Sequence, residues 1–199
     1  MIIRPLTVFE RENVRNFYLS LSSDDRRKRF CCALSDETIS RYVDRMDFAR
    51  DTILGAFDER ARIIGLAELV RNSDQGEMAF SVRPDMRGQK IGTALMQRLI
   101  ARAGMRGIRK VFVLFLSDNT PMRRMAQRAG MPVETADGES QAARELQAPS
   151  AEELTRWFVE EGYSHGGYFG TLGMAQMRLL SDRSADTMPE PAKDLATSA

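Results

Sequence analysis

Apolar positions in the first quarter of the chain recur at the spacing of helices. Thr7 and Glu10 stand three residues apart before a hydrophobic run, which is the capping-box arrangement of a helix start. The apolar residues of that run are Val14, Phe17, Tyr18 and Leu21. A charged segment over 22–30 and an apolar stripe beginning after Ser35 or Asp36 predict two more helices. A short strand at residues 2–4 is predicted to precede them.

Between residues 52 and 82 the pattern changes from helical spacing to that of strands. Segments 52–57, 62–70 and 77–82 are strand-like, and polar turns separate them. A helix then begins near Ile91 and ends near Gly104 or Gly107. Residues 111–116 are apolar at every position, which predicts a central strand that is buried on both faces.

The last elements predicted for this region are a helix and a hairpin. Asn119 followed by Pro121 marks a helix start, and Gly130 marks the end of that helix. Asp137-Gly138 between two strand-like segments is typical of a tight β-hairpin. The order of elements therefore predicts one α/β domain over residues 1–148.

The chain after residue 148 differs from the domain before it. Pro149 and the acidic residues that follow are typical of a helix start, so residues 149–180 are predicted to form a helical C-terminal extension. Residues 181–199 are polar and without periodicity, which predicts a disordered tail.

The composition is that of a globular protein, with 43% apolar and 29% charged residues. A formal charge of +1 argues against a nucleic-acid binder that works through bulk electrostatics. No apolar run approaches the roughly 20 residues that span a bilayer, and the N-terminus lacks a signal-peptide layout, so a cytoplasmic protein without membrane contact is expected. The adjacent Cys31 and Cys32 are badly placed for a structural disulfide, and the single His165 shows no metal-ligand spacing.

The segment from Val82 to Gly92 carries the strongest chemical signal in the chain. A strand stops at Pro84, an Arg- and Gly-rich turn follows, and a helix begins. The first backbone N–H groups of such a helix lack internal partners and, with the positive end of the helix dipole, suit a phosphate. Arg87 and Lys90 add positive charge where an unliganded helix start disfavours it, so we expect a pyrophosphate loop rather than two solvated cations.

This segment resembles the signature of the GNAT superfamily of acetyl-CoA-dependent N-acyltransferases. The residues that fit the signature are Arg87, Gly88, Gln89, Ile91 and Gly92. Lys90 stands where the family usually has Gly. The stretch from Asn119 to Met131 is similar to the family's Asn…Gly-Phe segment, with Met in place of the aromatic residue. The resemblance implies a mixed, strongly bent β-sheet flanked by helices over residues 1–148, with acetyl-CoA as co-substrate.

Two further segments resemble the bacterial branch of the family that acetylates protein lysines. They are Leu21-Ser22-Ser23-Asp24-Asp25-Arg26 with Arg29-Phe30, and Glu77-Met78-Ala79-Phe80-Ser81-Val82-Arg83. The resemblance implies acetyl transfer to a primary amine, with a protein lysine as the favoured acceptor. A small-molecule amine is the first alternative acceptor, and a non-catalytic acyl-CoA-binding sensor is an alternative of another class. The protein is expected to be a monomer or a homodimer.

The resemblance also implies roles for individual residues. Glu77 is the candidate general base, since an alkyl amine with a pKa near ~10.4 must lose a proton before it attacks a thioester. The alternative for Glu77 is a solvated carboxylate at a strand edge. A backbone N–H at about Val82 polarises the thioester carbonyl. The expected cofactor-binding residues are Phe80, Ser81, Val82, Arg87, Gly88, Gln89, Lys90, Ile91, Gly92, Thr93 and Asn119.

One role of the family has no residue in this chain. Ala126 occupies the position of the Tyr that protonates the leaving thiolate in many relatives. Without this Tyr, the residue that would protonate the leaving thiolate is undefined. This absence and the Lys90 substitution motivate the alternative of a non-catalytic acyl-CoA sensor.

Two other charged features compete with these assignments. Glu68 lies among apolar residues of its strand, and we expect it to mark the strand's solvent face rather than the cleft. The run Arg26-Arg27-Lys28-Arg29 is suited to an acidic protein or the 3′-phosphate of CoA, but the neighbouring Asp24 and Asp25 favour a solvated helix face. No metal site is expected.

Overall fold

The computed structural model describes residues 1–150 together with Glu152 and Thr155, and within them the chain forms seven strands and five α-helices. The strands are β1 (Ile2–Pro5), β2 (Thr52–Phe57), β3 (Ile63–Asn72), β4 (Gln75–Val82), β5 (Lys110–Leu116), β6 (Val133–Ala136) and β7 (Glu139–Glu145). The helices are α1 (Arg11–Leu19), α2 (Ser23–Phe30), α3 (Asp36–Asp44), α4 (Ile91–Met105) and α5 (Thr120–Arg128). The predicted order of elements is confirmed.

Local hydrogen bonds explain where the helices start. The side-chain oxygens of Ser22, Ser35 and Asn119 each accept a hydrogen bond from the backbone N–H of the third following residue. The capping box of Thr7 and Glu10 is present, but it begins a short 3-10 turn, Val8–Glu10, that leads into α1. These helix starts were therefore encoded locally.

The strands form one sheet in the order β1-β2-β3-β4-β5-β7-β6 within the described residues. Neighbouring strands are antiparallel except for β4 and β5, which run parallel. The predicted mixed sheet flanked by helices is confirmed. β5 is central, as predicted, but only one of its faces is fully buried, and Leu114 on the other face is 44% exposed.

Each face of the sheet has its own apolar core. On one face, α4 and α5 contribute Leu95, Leu99 and Met122 to a cluster with the buried positions of β5. On the other face, α1 and α3 contribute residues such as Val14 and Ile39. Helix α2 differs from these helices, because all but two of its residues are charged and Phe30 is its one apolar side chain.

Strands β4 and β5 pair over only three residues. The paired residues are Gln75 with Lys110, Gly76 with Val111, and Glu77 with Phe112. β4 continues to Val82 and β5 to Leu116 beyond the last paired residues. A gap therefore opens in the middle of the sheet, beginning at Glu77.

The predicted extension at 149–180 and the predicted tail at 181–199 fall almost wholly outside the described residues. In the part of the chain that is described, no helix combines the length and the hydropathy needed to cross a bilayer. The same residues include no group of three or more His, Cys, Asp or Glu side chains placed to hold a metal ion.

Candidate functional site

The gap between β4 and β5 exposes backbone hydrogen-bonding groups. The Arg83 N–H donates to the Ile64 carbonyl at 3.0 Å, so this residue faces β3. Successive residues of a strand point their N–H groups to opposite sides, and those of Phe80 and Val82 therefore face the gap. The donor that was expected at Val82 is directed where a ligand between the two strands would meet it.

A cleft of about 480 Å³ lies beside the last residues of β4. Its walls come from α2, the end of β4, the β4–α4 loop, the start of α4 and the length of α5. The residues predicted to bind the cofactor that line it are Phe80, Ser81, Val82, Arg87, Gly88, Lys90, Ile91, Gly92, Thr93 and Asn119. Gln89 and Glu77 are not among its lining residues, and both are exposed. The fold thus brings most of the predicted residues together around one space.

The loop before α4 has the backbone geometry of a phosphate site. Gly88 has a φ of +79° and Lys90 a φ of +60°, so both adopt the left-handed conformation. For Lys90 this costs roughly 1–2 kcal/mol relative to an ordinary backbone conformation. Lys90 thus takes a backbone conformation that Gly, the residue expected here from the family resemblance, adopts freely.

The N-terminus of α4 is free to accept an anion. Its preceding residue, Lys90, makes no side-chain cap, and its first turn contains no acidic residue. The first helical hydrogen bond after Lys90 runs from the Ala94 N–H to the Lys90 carbonyl at 3.0 Å. The N–H groups of Ile91, Gly92 and Thr93 thus precede the first internal donor and point out of the helix end towards the cleft.

Arg87 is held by a partner on the opposite wall. Its guanidinium donates a hydrogen bond to the carboxylate of Asp25 in α2, and its side chain is half exposed. The same carboxylate accepts from the Ser22 hydroxyl at 2.8 Å, which fixes its position. An anion bound at the loop would compete with Asp25 for Arg87.

Helix α5 and the residue before it, Asn119, form the other side of the cleft. Asn119 caps α5 by accepting the Met122 N–H at 3.2 Å, and it also lines the cleft. Ala126 of the same helix is fully buried in the apolar core and does not line the cleft.

Glu77 lies at the point where β4 and β5 separate, on the face of the sheet that α2 covers. Burial raises the pKa of the Cys31 thiol at the end of α2, and the negative charges of Glu139 and Glu77 raise it further. Glu77 is therefore within electrostatic range of Cys31. Glu77 is exposed to solvent, and it lies three residues before Phe80, the first residue of β4 that lines the cleft.

Glu68 does not mark a solvent face, which corrects the sequence-based expectation. Its side chain is 3% exposed and pairs with the 8% exposed guanidinium of Arg29 at 2.8 Å. The hydroxyls of Tyr18 and Tyr42 donate to the same carboxylate. The reason is that α1, α2 and α3 cover this face of β3 and bring partners that the strand's own pattern cannot reveal.

The basic run at the end of α2 is also not a uniformly solvated face. Arg26, Arg27 and Lys28 form ion pairs with Asp36, Asp118 and Asp24, as a charged surface helix does. The fourth member, Arg29, points inward to Glu68 and lines the cleft. The acidic residue within the apolar pattern of β3 was the one sequence signal that a buried cation was needed.

The model of the Acetyltransferase (GNAT) family matches residues 11–131. The acetyltransferase Pat of Mycolicibacterium smegmatis is 30% identical over 134 residues, which are 64% of this chain and 40% of that protein. The GNAT domain of S. lividans PAT has a TM-score of 0.63 and 26% identity, covering 72% of this chain and 89% of that one.

A more distant structure shares the fold alone. The ribosomal-protein-alanine N-acetyltransferase of Brucella melitensis has a TM-score of 0.59 at 16% identity, with 73% of this chain and 100% of that chain covered. The family model spans more than half of the present chain. The chain therefore belongs to the GNAT family of acetyltransferases.

Proposed function

We propose that this protein transfers an acetyl group from acetyl-CoA to a primary amine, with a protein lysine as the favoured acceptor. The observation that carries the proposal is the start of α4, which has no side-chain cap and lies in the wall of a cleft beside the end of β4, where β4 is no longer paired with β5. In this arrangement the diphosphate of CoA binds the amides of Ile91, Gly92 and Thr93, with Arg87 and Lys90 as cationic partners.

The rest of the cofactor follows the gap. The pantetheine arm lies beside Asn119 between the two strands, where β4 offers the N–H groups that β5 no longer takes up. The thioester lies between the two strands, and the Val82 N–H, which faces the gap, donates to its carbonyl oxygen and polarises it. Acetyl-CoA is the co-substrate, and the proposed reaction uses no metal ion.

The chemistry needs one base and one leaving group. The amine nitrogen forms a bond to the thioester carbon, and the carbonyl electron pair moves onto oxygen. When this pair returns, the C–S bond breaks and its electrons leave with sulfur as the CoA thiolate. The amine proton passes to Glu77 through a water molecule, since Glu77 stands beside the cleft rather than in its wall. A thiol with a pKa near ~8.5 leaves without a donor at Ala126.

One observation favours a protein lysine over a small amine. Glu77 and Leu114 of β5 are both exposed, so a large acceptor has access to this part of the sheet. Mass spectrometry of proteins incubated with the enzyme and acetyl-CoA, beside assays with free amines, separates the two acceptor classes.

The test of cofactor binding is a calorimetric titration with CoA. Arg87→Glu removes a charge-assisted contact to the diphosphate and adds a repulsive charge, so affinity is expected to fall about tenfold or more. Arg83→Glu is the matched control, because Arg83 pairs with Asp85 and does not line the cleft. Absence of saturable binding in the parent, or equal losses in the two variants, contradicts the proposed site.

The second candidate is an acyl-CoA-binding sensor, favoured by the buried Ala126 and by the position of Glu77 outside the cleft wall. Glu77→Gln separates the two functions. An enzyme loses turnover in this variant and keeps its affinity for CoA. A sensor shows CoA binding in the parent but no turnover with any of a broad set of amines.

A further inference from the structure

Two residues that line the cleft each carry a buried polar atom without a hydrogen-bond partner among the described residues. The atoms are Nε of Arg29 and Oγ of Ser81. A buried donor without a partner is costly, so native structures seldom keep one without a reason. Both atoms belong to residues of the same cleft, which suggests that a ligand in the cleft completes them.

The sheet register places these two residues together. Glu68 of β3 stands opposite Ala79 of β4, and Ser81 lies two residues further along the same face of β4. Such diagonal neighbours are about 7–8 Å apart at their backbones. Because Glu68 binds the guanidinium of Arg29 at 2.8 Å, Arg29 is held on the side of β4 where Ser81 projects.

Arg29 is fixed in this position on several sides. Its Cζ lies 4.6 Å from the ring centre of Phe30, 5.4 Å from that of Tyr18 and 5.7 Å from that of Tyr42. One terminal nitrogen, Nη2, donates to Glu68 and, at 3.0 Å, to the Tyr42 hydroxyl. The guanidinium is thus held in place before any ligand binds, and its Nε–H remains an unused donor.

The charges near Arg29 and Ser81 indicate which kind of ligand oxygen they bind. Glu68 already neutralises Arg29, so a full anion in the cleft would also meet the nearby carboxylate. An oxygen that is neutral when bound and gains charge during reaction fits better, because the guanidinium then stabilises only the new charge. If the cleft binds acetyl-CoA, as the proposed function states, the oxygen that is neutral when bound and gains charge during the reaction is that of the thioester carbonyl.

We propose that Arg29 and Ser81 donate hydrogen bonds to the carbonyl oxygen of the bound acyl-CoA and stabilise the oxyanion that forms when the amine adds. Arg29 and Ser81 are then catalytic residues in addition to Glu77. They supplement the backbone N–H donors of β4, and they act on the oxyanion from the α2 side of the cleft.

The test compares steady-state kinetics of three variants with acetyl-CoA and a lysine peptide. Ser81→Ala removes one donor, and kcat is expected to fall about tenfold while the dissociation constant of CoA stays within about twofold of the parent's. Ser81→Thr keeps the hydroxyl and is expected to retain most of the parent's kcat. Arg29→Lys keeps the charge but loses the Nε donor, and a fall of about 100-fold is expected.

The control is Asp36→Asn, which breaks an ion pair between α2 and α3 without touching the cleft. Its kcat is expected to match the parent's. If Arg29→Lys does not fold, Ser81→Ala and Ser81→Thr decide the question alone. Unchanged kcat in Ser81→Ala overturns the proposal, and so does a higher KM for the peptide with unchanged kcat, since the pair then serves the acceptor.

A binding measurement keeps this proposal separate from the proposed function. S-ethyl-CoA has the size of acetyl-CoA but lacks the carbonyl oxygen. The parent is expected to bind acetyl-CoA more tightly than S-ethyl-CoA, and Ser81→Ala is expected to reduce that preference severalfold. A parent that binds both ligands equally contradicts the role of Arg29 and Ser81, whereas a parent that binds neither contradicts the CoA site itself.

Discussion

The two walls of the cleft present their chemistry by different means. The wall formed by the β4–α4 loop offers backbone N–H groups, whose directions follow from a turn within a few residues of sequence. The α2 wall offers side chains, and two of them have partners that are remote in sequence. Arg29 and Glu68 are 39 positions apart, and Asp25 and Arg87 are 62 positions apart.

This difference has an energetic consequence. Backbone donors at an exposed helix start can be satisfied by water or a ligand without a side-chain partner, so they lose little when a neighbouring side chain changes. A buried or half-buried ion pair depends on both members, because removal of one leaves the other desolvated and uncompensated. We therefore expect the α2 wall to be sensitive to single substitutions far from it, and the loop wall to be robust.

The largest expected effect is at Glu68. Glu68→Ala leaves the buried Arg29 without a counter-charge and the hydroxyls of two tyrosines without an acceptor, so the free energy of unfolding should fall by about 3–5 kcal/mol. Urea denaturation measures this. Glu12→Ala removes an exposed carboxylate of α1 and is expected to change little. Equal, small losses in both variants would mean that α2 is not anchored through Glu68.

The second effect is a loss of stability in alkali. Burial raises the pKa of Tyr18 and that of Tyr42. Near pH ~10 and above, the unfolded chain loses phenolic protons that the folded chain keeps, so stability that is fully present at lower pH is lost as pH rises. The slope reaches about 1.4 kcal/mol per pH unit for Tyr18.

Urea denaturation between about pH 9 and pH 11 measures this slope. Tyr18→Phe removes one titrating group, and its stability is expected to decline less steeply with pH than that of the parent. The same slope in both proteins would show that Tyr18 ionises freely in the folded state and that the α2 wall is open to solvent.

The smallest effect concerns the contact between the two walls. Asp25→Asn frees Arg87 for the diphosphate and keeps an oxygen for Ser22, so CoA is expected to bind about threefold more tightly. Asp24→Asn removes the same charge from the exposed side of α2 and serves as control. Calorimetry with both variants decides the matter. Equal tightening in the two would indicate a general charge effect and not release of Arg87.

The residues of the loop wall could be read from the sequence because their geometry is local. Pro84, Gly88 and the apolar run after Ile91 specify a strand, a turn and a helix within one short segment. The hairpin at Asp137-Gly138 and the caps at Ser22, Ser35 and Asn119 were predictable on the same basis. Even Lys90, which departs from the family pattern, adopts the backbone that the loop requires.

The residues of the α2 wall could not be read in this way. Arg29 follows three other basic residues in a helix with almost no apolar face, and its neighbours give no sign that it alone turns inward. Glu68 stands out in the sequence as an acid in an apolar strand, but the expectation that it lies on the solvent face is wrong, because it is buried. Its partners come from three different helices, which only packing assembles.

The amino-acid pattern was enough to predict the order of elements along the chain, the helix starts and the turn before α4, because each depends on hydrogen bonds between residues close in the chain. Packing was needed to show where β4 and β5 separate, that Glu68 is buried against Arg29, and that Arg29 and Ser81 line one cleft. The reason is that burial and charge pairing are set by the surfaces that meet, and residues far apart in sequence form those surfaces.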